Sequence, residues 1–174
     1  SITNYCHFPF FLFPFIFFLF PFIFSLPAQG QTSSLLNQLN QLRSKCPDPC
    51  PGDTLRVSVL LKIIESINDD NVWPIYNQQV IEICKKNISD ASENLVLFYK
   101  KSYAMALNNA GYLNDLRGNI PLALSFYQKA MDIHQSIGDK QGLAICYNNL
   151  GYIYNNQGKI SNALEYYQKS LDLF

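Results

Sequence analysis

The sequence predicts an all-α fold, an α-solenoid of antiparallel helix pairs preceded by an N-terminal signal or membrane segment. Three observations carry this. The first is an internal repeat. Asn108 to Ile133 read NNAGYLNDLRGNIPLALSFYQKAMDI, and forty residues later Asn148 to Leu173 read NNLGYIYNNQGKISNALEYYQKSLDL, with twelve of 26 positions identical. A fixed period of this size marks stacked helical units that bury their apolar faces against one another. The second is that apolar residues after residue 30 recur at helical spacing, with no sustained period-two alternation of a strand. The third is the start of the chain. Phe8 to Phe24 run FPFFLFPFIFFLFPFIF without a polar side chain, and no Lys, Arg, Asp or Glu precedes Arg43.

Residues 1–30 are assigned to a signal peptide or membrane anchor. Ala28 and Gly30 give the small-x-small pattern of a cleavage site. The apolar run of 17 residues is at the lower edge of what crosses a hydrocarbon core of about 30 Å. Pro9, Pro14 and Pro21 each remove a backbone donor from any helix there. A cleaved signal or signal-anchor is therefore favoured over an internal span. The expected location is exported, periplasmic or membrane-anchored in the cell envelope.

Residues 31–52 form a linker with a short amphipathic helix, Gln31 to Ser44, whose stripe is Leu35, Leu36, Leu39 and Leu42. The CPDPC loop follows. In an oxidising compartment Cys46 and Cys50 can close as a disulfide. A metal site there would need two further ligands nearby, and the only histidines are His7 and His134. No metal is expected.

Residues 53–100 read as a helical leader or degenerate first repeat. Asp53 or Thr54 can accept from the free amides of a first turn. Leu55, Val59, Leu60, Ile63, Ile64 and Ile67 follow at helical spacing, and INDDN breaks the helix. Pro74 suits the first turn of the next helix, with Val80, Ile83 and Cys84 inward. Cys84 and Cys146 fall on apolar positions and are expected as small buried side chains. Ser89 to Ser92 is a loop.

Residues 101–174 hold two repeats. The predicted helices run from Glu93 to Arg117, from Pro121 to Ile137, from Lys140 to Asn156 and from Ile160 to Phe174. Gly118-Asn119, Gly138-Asp139 and Gly158 separate them, and Asn119 is placed to cap. Gly111 and Gly151 are mid-helix, where glycine costs about 1 kcal/mol against alanine. That loss is recovered if another element approaches closely. Ala123 and Ala163 are the matching small residues on the second helices, and Tyr127 and Tyr167 are expected to fill the space between units.

At these residues the chain resembles the tetratricopeptide repeat. Leu107, Ala110-Gly111, Ala123, Tyr127 and Ala130 fit the first unit; Tyr147, Leu150-Gly151, Tyr154, Ala163, Tyr167 and Ser170 fit the second. Asn114 stands where the family carries an aromatic residue. The period of forty exceeds the usual ~34 and resembles a longer-repeat branch of bacterial signalling proteins. Residues 53–87 look like the leader of exported bacterial sensors. The resemblance implies a right-handed solenoid whose first helices line a concave groove. That face would carry Met105, Asn108, Tyr112 and Asp115, then Ile145, Asn148, Tyr152 and Asn155. Amides can bond a peptide backbone, and tyrosine adds apolar area with a polar tip. Asn108 and Asn148 could equally satisfy neighbouring helix groups. The carboxylate clamp of chaperone-binding members needs Lys or Arg on this face, and those places hold none.

The remaining composition excludes more than it suggests. Thirteen basic and thirteen acidic residues give a net charge of zero, so no nucleic-acid partner is expected. No GxSxG, HExxH, Walker loop or CxxC occurs. His134, beside Asp132, is expected on a solvated helix surface. The chain is read as a non-enzymatic, cofactor-free scaffold that binds a protein or peptide in the cell envelope. It contacts the membrane through its N-terminal segment if that is uncleaved. The alternative is the sensor half of a larger signalling protein. Its output domain beyond residue 174 would be a histidine kinase, nucleotide cyclase, phosphatase or transcription regulator. Leu164, Tyr167, Leu171 and Phe174 are expected to be uncovered. The array is accordingly expected to continue past residue 174, or to self-associate through uncapped repeats.

Overall fold

A computed structural model describes residues 20–45 and 53–174, with the backbone alone for residues 20–29. The described residues form seven helices and no strand. They are α1 (Phe20–Lys45), α2 (Asp53–Ser66), α3 (Trp73–Asn87), α4 (Glu93–Leu116), α5 (Ile120–Ser136), α6 (Lys140–Asn156) and α7 (Ile160–Leu171). The described residues form an all-α solenoid. Most of the Phe-rich run, together with Cys46 and Cys50, lies outside the described residues. Among the described residues no helix is long and apolar enough to cross a membrane. The helix expected from Gln31 begins earlier, at Phe20, and is continuous through Gly30.

The helix boundaries follow local chemistry. Pro74 and Pro121 sit in the first turns of α3 and α5, where the missing N–H has no intrahelical partner to lose. Gly118 and Gly158, forty residues apart, end α4 and α6 at φ 73° and 71°, a region that side chains with a Cβ rarely enter. Asp139 caps α6 by accepting from the Gly142 amide at 3.3 Å. Asn119, expected to cap α5, makes no side-chain cap bond. Lys159 occupies the same place before α7. Both have the same backbone conformation, so the glycine turn sets this junction without a side-chain cap.

Two kinds of core result. Leu39 of α1 is buried with Val57, Leu60 and Ile63 of α2, Val80 and Cys84 of α3, and Tyr99 of α4. The stripe on α1 thus packs as its spacing predicts. In the repeats the buried groups are smaller and fewer: Ala123 and Tyr127 against Leu150 and Ile153, and Leu107 with Ala130 and Cys146.

Each helix packs on the next, and the backbone of α4 also comes close to both α2 and α6, whereas among the described residues the backbones of α3, α5 and α7 stay farther from one another. The first helices of successive units are therefore closer together than the second helices. A row that is tighter on one side must curve toward that side. The inner face belongs to α2, α4 and α6.

Candidate functional site

The inner face is held in register by a repeated lock. A Cβ built on Gly111 would stand 2.7 Å from Tyr127 Cε1, and one on Gly151 would stand 2.5 Å from Tyr167 Cε1. Each tyrosine ring lies across the mid-helix glycine of its own unit. This revises the expectation that the tyrosines fill the space between units. Tyr127 does both, since it is also clustered with Leu150 and Ile153 of the next unit. It is 1% exposed, whereas Tyr167 is 36% exposed. Ala123 and Ala163, one turn before these tyrosines, are buried, as close helix packing requires.

On the inner face Tyr112 and Tyr152 are 46% and 53% exposed, with Ile145, Asn148 and Asn155 also at the surface. Met105, Asn108 and Asp115 are half-buried. Burial raises the Asp115 carboxyl above its ordinary range. The two asparagines separate in role. Asn108 Oδ1 accepts from Asn149 Nδ2 at 2.9 Å and lies 3.6 Å from the Cys146 thiol. It ties α4 to α6 and is not free to meet a ligand fully. Asn148 remains exposed.

Asn108 thus satisfies a neighbouring helix, one of the two roles expected of it, and Asn77, Asn109 and Asn149 join it in a ladder of amides that the sequence did not single out. Asn109 Nδ2 donates to Asn77 Oδ1 at 3.2 Å, and Asn77 Nδ2 donates to the buried Ala106 carbonyl at 2.9 Å. Asn109 and Asn149 are repeat equivalents, and each donates to an amide of the preceding unit. The doubled Asn-Asn at 108–109 and 148–149 was the available signal.

His134 also departs from expectation. It is 1% exposed rather than solvated. It continues the stripe Ala123, Tyr127, Ala130 and so falls on the packed side of α5. The first turn of α6 leaves room for it: a Cβ on Gly142 would stand 2.1 Å from the ring. His134 Nδ1 lies 3.0 Å from Asp139 Oδ2, within ion-pair range but without the alignment of a hydrogen bond. Burial pulls the imidazole pKa below its ordinary value; Asp139 opposes this and Lys101 adds to it. Burial raises the Asp139 carboxyl, but the Gly142 amide, Lys101 and His134 together hold it below its ordinary value. Lys101 Nζ reaches Asp139 Oδ1 at 3.3 Å. The His134 ring helps to line a hollow of about 170 Å³ on the inner face, between Met105, Asn108 and Ile145.

Cys84 and Cys146 are buried, as their apolar positions predict. Burial, with Asp53 as a second cause, pushes the Cys84 thiol up to about 12; burial and then Asp139 push Cys146 up to about 12. A thiol so protonated is a poor nucleophile at neutral pH. Among the described residues no group of three His, Cys, Asp or Glu is placed to hold a metal ion. The surface offers shape, amides and phenols, which suit recognition.

Residues 102–174 match the family profile described as tetratricopeptide repeat. No curated protein and no solved structure matches the chain.

Proposed function

We propose, from the premise that residues 102–174 are tetratricopeptide repeats, that the inner face of α4 and α6 binds an extended peptide of a protein partner in the cell envelope. The repeats are a protein-interaction scaffold, a non-catalytic fold. One observation supports the choice of face. Tyr112 and Tyr152 recur at the same place on successive first helices, both exposed, with Asn148 and Asn155 beside them. Exposed rings at a regular interval present apolar area with polar tips to one continuous ligand.

The test is a pair of variants in a pull-down from envelope extracts, each first checked for helicity. Tyr112→Ala with Asn148→Ala and Tyr152→Ala should lose partners. Ser125→Ala with Gln128→Ala and Gln168→Ala should keep them. The opposite pattern would reject the inner face. Export is tested separately by fusing residues 1–45 to a reporter enzyme active only outside the cytoplasm; an inactive fusion would reject the envelope.

A second reading is the sensor half of a larger signalling protein, since residues 53–87 resemble the leader of exported bacterial sensors. Reading the full open reading frame for a membrane run and an output domain decides it.

A further inference from the structure

Tyr103, Leu107, Ala110 and Asn114 stand on the side of α4 opposite Met105, Asn108 and Tyr112, about half a turn away at roughly 100° per residue. They floor an open cavity of about 370 Å³ between α3 and α5. Ligand sites span ~300–1,000 Å³, so the cavity suits one large side chain and its flanks. Lys85 and Lys129 help to line it, and no carboxylate does. Lys85 Nζ lies 5.8 Å from the Tyr103 ring centre, and Lys129 Nζ lies 5.9 Å from that of Phe126. Among the described residues neither lysine is paired with a carboxylate.

The second unit shows an occupant for the equivalent place. Forty residues on, Leu107 becomes Tyr147, Asn114 becomes Tyr154, Phe126 becomes Tyr166 and Lys129 becomes Lys169. Tyr154 stacks on Tyr166 with ring centres 5.4 Å apart and planes 7° apart. Tyr147 closes on the same ring at 6.1 Å, and Lys169 Nζ sits 5.0 Å from it. In the first unit Asn114 supplies no ring. Its Nδ2 bonds the Ala110 carbonyl at 2.8 Å, back along its own helix. Phe126 is left with its lysine and without its stacking partner.

We propose that this outer groove binds an aromatic side chain within an acidic segment of a partner protein. The ring takes the place on Phe126 that Tyr154 takes on Tyr166. The flanking carboxylates meet Lys85 and Lys129, the two unmatched charges of the lining. The face is separate from the one proposed above, so either assignment can fail alone.

The experiment uses the whole chain and a labelled synthetic peptide, Glu-Glu-Tyr-Glu-Glu, followed by fluorescence anisotropy at low salt. The expected Kd is tighter than about 1 mM, and replacing the peptide's Tyr by Ala should weaken it about tenfold. Asn114→Tyr supplies the ring from within. It should abolish most binding while raising the melting temperature. Lys85→Glu with Lys129→Glu changes only exposed positions, so the fold should survive, and binding should be lost. The inner-face triple variant should bind the peptide as the parent does. The proposal is overturned by any of four results: no binding below about 1 mM, equal affinity for the Ala peptide, unchanged affinity in the charge-reversed variant, or loss in the inner-face variant. Unchanged affinity in a folded Asn114→Tyr chain would overturn the stacking position.

Discussion

The leader and the repeats reach the same helix-pair architecture by different packing. In α2 and α3 the core is branched aliphatic, with Val57, Leu60, Ile63 and Val80 fully buried. One buried charge, Asp53, is held there by Arg56 at 3.0 Å and Asn87 at 3.1 Å. From α4 onward the contacts are made by glycine and alanine beneath tyrosine. Bulk fills the first region, and shape fits the second. A core filled by bulk accepts other apolar groups of similar volume, whereas close-packed rings on bare backbone accept almost nothing larger. The comparison teaches that repeat identity sits in the small residues, because they set how closely the helices approach.

The largest expected effect lies at Tyr127. Replacing it by Ala should cost about 4 kcal/mol, in line with aromatic-to-Ala changes in cores. Tyr167→Ala should cost much less, since its ring is already one-third exposed. Urea denaturation of both variants checks this, and equal losses would show that the two units are not packed differently. Next comes overpacking. Gly111→Leu drives a side chain into the buried Tyr127 ring and should cost about 3 kcal/mol, while Gly151→Leu should cost about half as much because the Tyr167 ring is partly exposed and has solvent to move into. A change at exposed Lys159 should cost least of all. In the leader, Leu60→Met should cost only about 1 kcal/mol. A loss there as great as at Gly111 would remove the distinction between the two regions.

The smallest effect is pH dependence from His134. Burial holds the folded imidazole below its ordinary 6.5. As pH falls through that value, the unfolded chain binds the proton first, so stability is full above about 6.5 and declines below it. The melting temperature should fall between pH 7 and pH 5.5, and His134→Gln should flatten that slope. A melting temperature that rises on acidification would mean that Asp139, not burial, governs the imidazole. Asp139 itself is held low and contributes its own loss only in stronger acid.

Much of this architecture was legible in the sequence, for a physical reason. Gly111, Gly151, Ala123, Ala163, Tyr127 and Tyr167 recur because steric fit fixes them locally within a helix pair. The helix boundaries were legible from proline and glycine for the same reason. Of the amide ladder only Asn108 was, as one of its two expected roles; Asn77, Asn109 and Asn149 were not, because they meet partners across units, and side-chain reach between units depends on helix rotation. His134 was not, because its polar type points to the surface. Its position in the stripe of Ala123, Tyr127 and Ala130 would have placed it inside. Asn114 was legible as a departure from the repeat, but the open cavity beside it depends on how α3 and α5 are spaced.

The uneven spacing of the two helix rows has a mechanical meaning. The first helices abut, and amide rungs such as Asn77–Asn109 and Asn108–Asn149 stitch one unit to the next beside them. The second helices stand apart. Bending therefore leaves the length of the inner row nearly fixed, and the outer row opens or closes like the pages of a bound book. A wedge inserted between α3 and α5 works at the page edge, far from the spine. A small widening there would tilt the leader against the rest of the array, and a local insertion would become a change of curvature along the whole inner surface.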